Sequence, residues 1–324
     1  AMLVTFLTPS TFWSKYSRLW MLASVVLLVL VLIPGIGREL NGSRRWLALG
    51  GFTIQVSELV KVATIVFLAT YLQQYRETLG EGWEHFGKLM VLIGLLTVLL
   101  IREPDFGSVV VLGGTFMAML FLGGAKLRQY IFLIAICAAV LWWLKDSSPY
   151  RMARITAYLD PWSDQFNSGY QLTQSLIAFG RGEWFGVGLG QSVQKMLYLP
   201  EAHTDFVFAI FAEEFGFLGV ICLIGLYCLM VTRIFGLSRK AIEQQKWYPA
   251  FVLIGFGLLF SGQTFINLGV NAGLLPTKGL TLPFVSYGGS SLLVSCAMVG
   301  MMLRFAHDLN QPESTSRRSA NVRR

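Results

Sequence analysis

Eight apolar segments, near residues 20–36, 56–72, 88–101, 107–124, 129–144, 205–232, 250–272 and 287–305, limit what this chain can become. Runs of about 17 or more apolar residues are long enough to cross bilayer hydrocarbon as helices, and a water-soluble core would have to hide all of them at once. Of the residues, 54% are hydrophobic and only 14% charged, against roughly a quarter charged in an ordinary soluble domain. The fold class expected is all-α: a polytopic transmembrane helix bundle over residues 1–308, with a long external loop at 146–204 and a basic tail at 309–324.

The net charge of +8 does not mark a nucleic-acid binder, because the cations are scattered over short loops and the tail instead of forming one stripe. It reads as membrane orientation. If the loop at 10–18 is cytoplasmic, then Lys15, Arg18, Lys126, Arg128, Arg239, Lys240, Lys246 and the basic stretch after Arg304 all lie inside, and both termini face the cytoplasm. Cys137, Cys222, Cys228 and Cys296 fall in apolar runs with no CxxC pair, which argues against a disulfide framework or a zinc site. Residues 1–9 are apolar but lack a charged leader region and a small-residue cleavage site, so they read as the end of a span, not as a signal peptide.

Chemistry concentrates at the junction between the long loop and the sixth apolar segment. Asp205 stands where polar loop gives way to hydrocarbon, and a helix entered after Pro200 and capped by Thr204 would aim its positive end at this carboxylate. Such an acid is either an ordinary first-turn residue or a functional site. Glu213 and Glu214 follow about 12 Å deeper, and by helical angle only Glu213 could share a groove with Asp205.

Other polar residues carry paired readings. Glu58 and Lys61, three apart on one helix face, are a buried neutralising pair, a direct participant, or both. The turn Arg102-Glu-Pro-Asp105 is a hairpin cap or a substrate contact. Gln263, Asn267 and Asn271 recur every four residues, as interhelical glue or as a cavity wall. Gly186-Val-Gly-Leu-Gly190 lacks the Lys-Ser/Thr of a phosphate loop, though its amides near Arg181 and Lys195 could cradle a pyrophosphate. In the long loop, Leu172, Leu176, Ile177 and Phe179 share one side of a possible helix lying in the membrane surface.

Five stretches, Asn41-Gly-Ser-Arg-Arg-Trp46, Ser57-Glu-Leu-Val-Lys61, Arg102-Glu-Pro-Asp-Phe-Gly107, Leu199-Pro-Glu-Ala-His-Thr-Asp-Phe206 and the run from Pro276 to Ser291, closely resemble the bacterial shape, elongation, division and sporulation (SEDS) family, in the family's order. The third and fourth look more like its division member than its elongation member. Family members have ten spans, whereas this chain shows eight and a remnant, as though the first and most of the second were absent. The resemblance implies a peptidoglycan glycosyltransferase that polymerises lipid II at the outer face of the inner membrane, enriched at the division septum. Asp205 matches the family's essential aspartate and would be the general base, with undecaprenyl pyrophosphate leaving. Substrate contacts would come from Glu58, Lys61, Arg102, Asp105, Arg181, Lys195, His203, Asn271, Lys278 and Ser286, aided by a divalent cation, magnesium or manganese, for which no dedicated cage is visible. A class B penicillin-binding protein and other divisome membrane proteins would be the partners. The competing readings are a lipid II flippase and a non-catalytic division scaffold.

Overall fold

The computed structural model describes residues 1–40, 43–49, 52–80, 82–135, 158, 160–167, 169–276 and 279–311. Ten helices and a small sheet are named here: α1 Met2–Leu7, α2 Ser10–Lys15, α3 Ser17–Leu32, β1 Gly37–Leu40, β2 Ser43–Leu49, β3 Phe52–Gln55, α4 Val56–Tyr75, α5 Glu84–Arg102, α6 Phe106–Leu122, α7 Tyr170–Gly182, α8 Val207–Glu243, α9 Trp247–Asn271 and α10 Gly289–Asn310. Of these, α4, α5, α8, α9 and α10 are long and apolar enough to cross a membrane, and α3 and α6 are shorter apolar helices. These seven coincide with seven of the eight expected segments; the remaining one is helical over 127–135 and lies outside the described residues beyond that. The residues at 146–157 and the tail after 311 also lie outside them.

Apolar packing places α4 and α9 at the centre. Ile65, Leu68 and Leu72 of α4 meet Phe116 and Met119 of α6, Phe251, Phe256 and Phe260 of α9, and Met298 and Phe305 of α10 in one buried cluster. A second cluster joins Leu28 and Val31 of α3 to Val56 and Val60 of α4 and Leu96 and Leu100 of α5. In lipid the apolar surface alone cannot choose a partner, so close van der Waals packing and buried polar contacts decide which helices associate.

Two local features depart from what the sequence led us to expect. Strands β1, β2 and β3 form a three-stranded antiparallel sheet, with Leu40 opposite Ser43 and Leu49 opposite Phe52, at the end of the bundle that carries Asp205. The helix expected to float on the membrane surface is α7, but Leu172, Thr173, Ser175 and Ala178 are buried and the Ser175 hydroxyl donates to the Asn271 carbonyl at 2.7 Å. It is docked on the bundle.

Helix α8 runs for 37 residues, about 55 Å at the α-helical rise, and is broken at Gly216, whose φ of 66° lies in the left-handed region. The segment after α7 stitches the break. Val187 and Gly188 amides donate to the Glu213 and Glu214 carbonyls, and the Phe217 and Leu218 amides donate to the Glu183 and Trp184 carbonyls. Backbone groups that a straight helix would pair internally are thus satisfied from outside.

Candidate functional site

Asp205 lies in the turn just before α8, and its place is set by main-chain anchors from α9. The expected cap fails: Thr204 turns back and donates to the Glu201 carboxylate at 2.6 Å. Asn271 does the capping, its Oδ1 accepting from the Ala209 amide at 3.1 Å while its Nδ2 donates to the Asp205 carbonyl at 2.9 Å. Asn267 donates to that same carbonyl at 3.0 Å and to the Leu280 carbonyl at 2.6 Å, and Gln263 donates to the Thr281 carbonyl at 3.0 Å. A side-chain amide suits this duty because it offers donors and an acceptor together. The polar stripe of α9 is therefore buried glue, and Asn271, expected at the substrate, instead holds the backbone of the turn.

The carboxylate itself is crowded from the loop that follows α9. A Cβ added to Gly279 would lie 2.9 Å from Asp205 Oδ2, so any larger residue there would push the carboxylate aside. Ser286, also expected at the substrate, is scaffold: its Oγ accepts from the Leu282 amide at 2.7 Å and donates to the Thr204 carbonyl at 2.6 Å. The Tyr287 amide donates to the His203 carbonyl at 2.8 Å, and the His203 side chain is exposed away from the cavity wall.

Asp205 faces a cavity of about 440 Å³. Its walls are Arg45 and Trp46 of β2, Gln55 and Glu58 at the head of α4, the start of α6 from Asp105 to Ser108, and Gln171 of α7. Glu201, Gly279 to Thr281, Tyr287 and the first turn of α10 complete it. Glu58 accepts from Lys61 at 2.8 Å and both are buried, so the pair neutralises itself with Glu58 on the cavity side. Asp105 caps α6, Oδ1 accepting from the Ser108 amide at 3.1 Å and Oδ2 from the Ser108 hydroxyl at 2.8 Å, which makes it a hairpin cap that also forms wall. Arg45 fixes the same hairpin by donating to the carbonyls of Glu103 at 3.0 Å and Pro104 at 2.7 Å.

Behind this wall Glu103 is wholly buried, and neither of its carboxylate oxygens has a hydrogen-bond partner among the described residues. Burial, with Asp105 adding repulsion and Arg45 opposing, pushes its carboxyl up to about 8.

Several expected contacts lie elsewhere. Arg102 is exposed at the end of α5 and absent from the cavity wall. Arg181 donates to Glu213 at 2.6 Å and Lys195 to Glu214 at 2.6 Å, so neither cradles an anion at the glycines of 186–190. Glu213 also accepts from the Ser192 hydroxyl and the Val193 and Gln194 amides, which turns it away from any groove shared with Asp205. Lys278 lies outside the described residues. Among the described residues no three His, Cys, Asp or Glu side chains converge to hold a metal ion. Arg45, Gln55, Gln171, Thr281, Tyr287 and Ser290 are not singled out in the sequence as cavity residues; the available signals are that Arg45 and Trp46 lie in one of the family-like stretches and Thr281, Tyr287 and Ser290 in another.

A multi-pass helical bundle with an acid-lined cavity at its head is the architecture of a known class: the model for the cell cycle proteins FtsW, RodA and SpoVE matches residues 1–311, and the chain belongs to that family. A probable peptidoglycan glycosyltransferase FtsW of Legionella pneumophila is 53% identical over 306 residues, covering 94% of this chain and 78% of the relative. That of Coxiella burnetii is 52% identical over 300 residues, covering 93% and 81%. Among solved structures, a chain from work on the structural coordination of polymerization and crosslinking by a peptidoglycan synthase complex has a TM-score of 0.77 at 29% identity, covering 96% of this chain and 86% of that one. The rod shape determining protein RodA of Thermus thermophilus has a TM-score of 0.69 at 28% identity, covering 96% and 84%.

Proposed function

We propose that this chain is a peptidoglycan glycosyltransferase that polymerises lipid II, with Asp205 as general base. The observation that carries the reading is the placing of Asp205: two asparagines hold its carbonyl while its side chain forms part of a polar cavity at the head of a membrane bundle. In the reaction the acceptor sugar's 4-hydroxyl gives its proton to the Asp205 carboxylate as its oxygen bonds to C1 of the donor. The bond from C1 to the pyrophosphate oxygen breaks, and undecaprenyl pyrophosphate leaves with inversion at C1. Arg45 sets positive charge on the cavity wall, where it offsets the negative charge that develops on the leaving pyrophosphate. Lys278, next to Gly279 in sequence, is proposed to add to it. With no protein cage among the described residues, a divalent cation would arrive on the substrate's phosphates.

The cavity end is proposed to face outward from the cytoplasmic membrane, since Arg233, Arg239 and Lys240 lie at the far end of α8. A class B penicillin-binding protein is the proposed partner at the division septum, in keeping with the synthase complex among the structural neighbours. The chain purified with its partner and given lipid II in detergent should make glycan polymer, and Asp205→Ala should make none while remaining folded. A flippase would move lipid across vesicles without polymer, and a scaffold would support division with Asp205→Ala.

A further inference from the structure

The side chain of Tyr287 lies on the cavity wall but takes no part in the proton transfer described above. It is 81% exposed although it lies on the cavity wall, and among the described residues its ring stacks on no other ring and its hydroxyl makes no hydrogen bond. A single exposed aromatic is ordinary on a protein surface. Its mounting is not. The Tyr287 amide donates to the His203 carbonyl at 2.8 Å, and its neighbour Ser286 donates to the Thr204 carbonyl at 2.6 Å. The backbone that carries the ring is therefore tied, by one main-chain and one side-chain hydrogen bond, to the turn that carries Asp205. The cavity it borders carries Arg45, Gln55, Glu58 and Asp105 beside apolar groups such as Trp46 and Phe106. A ligand that suits both has hydroxyls along its edge and an apolar C–H face, which is the chemistry of a pyranose ring.

We infer that Tyr287 is a stacking platform that binds one sugar of the substrate at the mouth of the cavity. The inference rests on the glycosyltransferase reading and adds a substrate-binding residue to it. An aromatic face on an apolar partner adds to affinity beyond the area it covers, on a scale that corresponds to about a tenfold change in binding.

The test compares Tyr287→Phe, Tyr287→Trp, Tyr287→Leu and Tyr287→Ala in lipid II polymerisation by the full chain with its partner. Phe and Trp are expected to hold KM within about threefold, whereas Leu and Ala raise it about tenfold with kcat little changed, since lost uniform binding appears in KM. Leu performing as well as Phe, or a fall confined to kcat, overturns the stacking role. A second arm titrates Tyr287→Trp with the lipid-free disaccharide headgroup and follows indole fluorescence, a readout that membrane anchoring by this ring would not produce. A saturable change is expected; none at millimolar sugar overturns the inference. Polymer from the wild type with none from Asp205→Asn confirms the underlying reading separately. If the wild type makes no polymer, that reading fails and the fluorescence arm alone decides for Tyr287.

Discussion

Asp205 and Glu213 sit a few residues apart at the head of the same helix, and the bundle treats them in opposite ways. Glu213 is buried with its carboxylate held by Arg181, Ser192 and two main-chain amides. Asp205 is held by its carbonyl, through Asn267 and Asn271, and its side chain forms cavity wall. An acid buried with its oxygens held by the fold serves architecture. One whose backbone is anchored and whose residue lines a cavity stands where a substrate can reach it.

That contrast can be broken in order of expected effect. Glu213→Ala leaves the Ser192 hydroxyl and the Arg181 charge without their acceptor, and removing one partner of a buried network costs about 3 kcal/mol or more. A large drop in thermal midpoint is expected, with the specific activity of the surviving folded fraction kept near wild type. Asn271→Ala strips both the Asp205 carbonyl and the Ala209 amide, for about 2 kcal/mol of stability and a fall of about 10- to 100-fold in polymerisation rate as the carboxylate loses its register. Gly279→Ala puts a methyl group 2.9 Å from Asp205 Oδ2; the rate should fall about tenfold with the melting temperature almost unmoved. A loss of stability without a loss of rate in that variant would show that the two sites do not differ as described.

A separate effect concerns pH. Glu103 has its folded pKa raised from 4.5 to about 8, so the stability it contributes as a neutral acid is complete below about 4.5 and is lost as pH rises through 8. Glu103→Gln should flatten the thermal midpoint over that window and melt above the wild type at pH 9. Equal pH slopes in the two proteins would mean that Glu103 is already ionised at neutral pH.

The spans were legible because a bilayer demands long apolar runs, and α4, begun at Val56 as expected, ends within a turn of its expected boundary. The sheet was less visible. Its strands are short and carry Arg38, Glu39, Arg44 and Arg45, so they lack a hydrophobic alternation, although Asn41-Gly42 between them is a strong hairpin signal. Periodicity placed Gln263, Asn267 and Asn271 on one face of α9 but could not say what that face meets. Arg181 and Lys195 were misplaced for a different reason: their partners lie 32 and 19 residues away, at a separation that spacing along the chain does not reveal. Asp205 itself was readable from its position at the edge of the hydrocarbon, though the agents that fix it were not.

The most direct measurement sets Asp205→Asn beside Glu213→Gln in lipid II polymerisation, with thermal midpoints taken on the same preparations. Asp205→Asn should retain the wild-type midpoint and lose polymer by at least about a thousandfold, as expected when the proton acceptor is removed, and Glu213→Gln should melt earlier yet still polymerise. Polymer from Asp205→Asn at the wild-type rate would contradict the assignment of that carboxylate as the base.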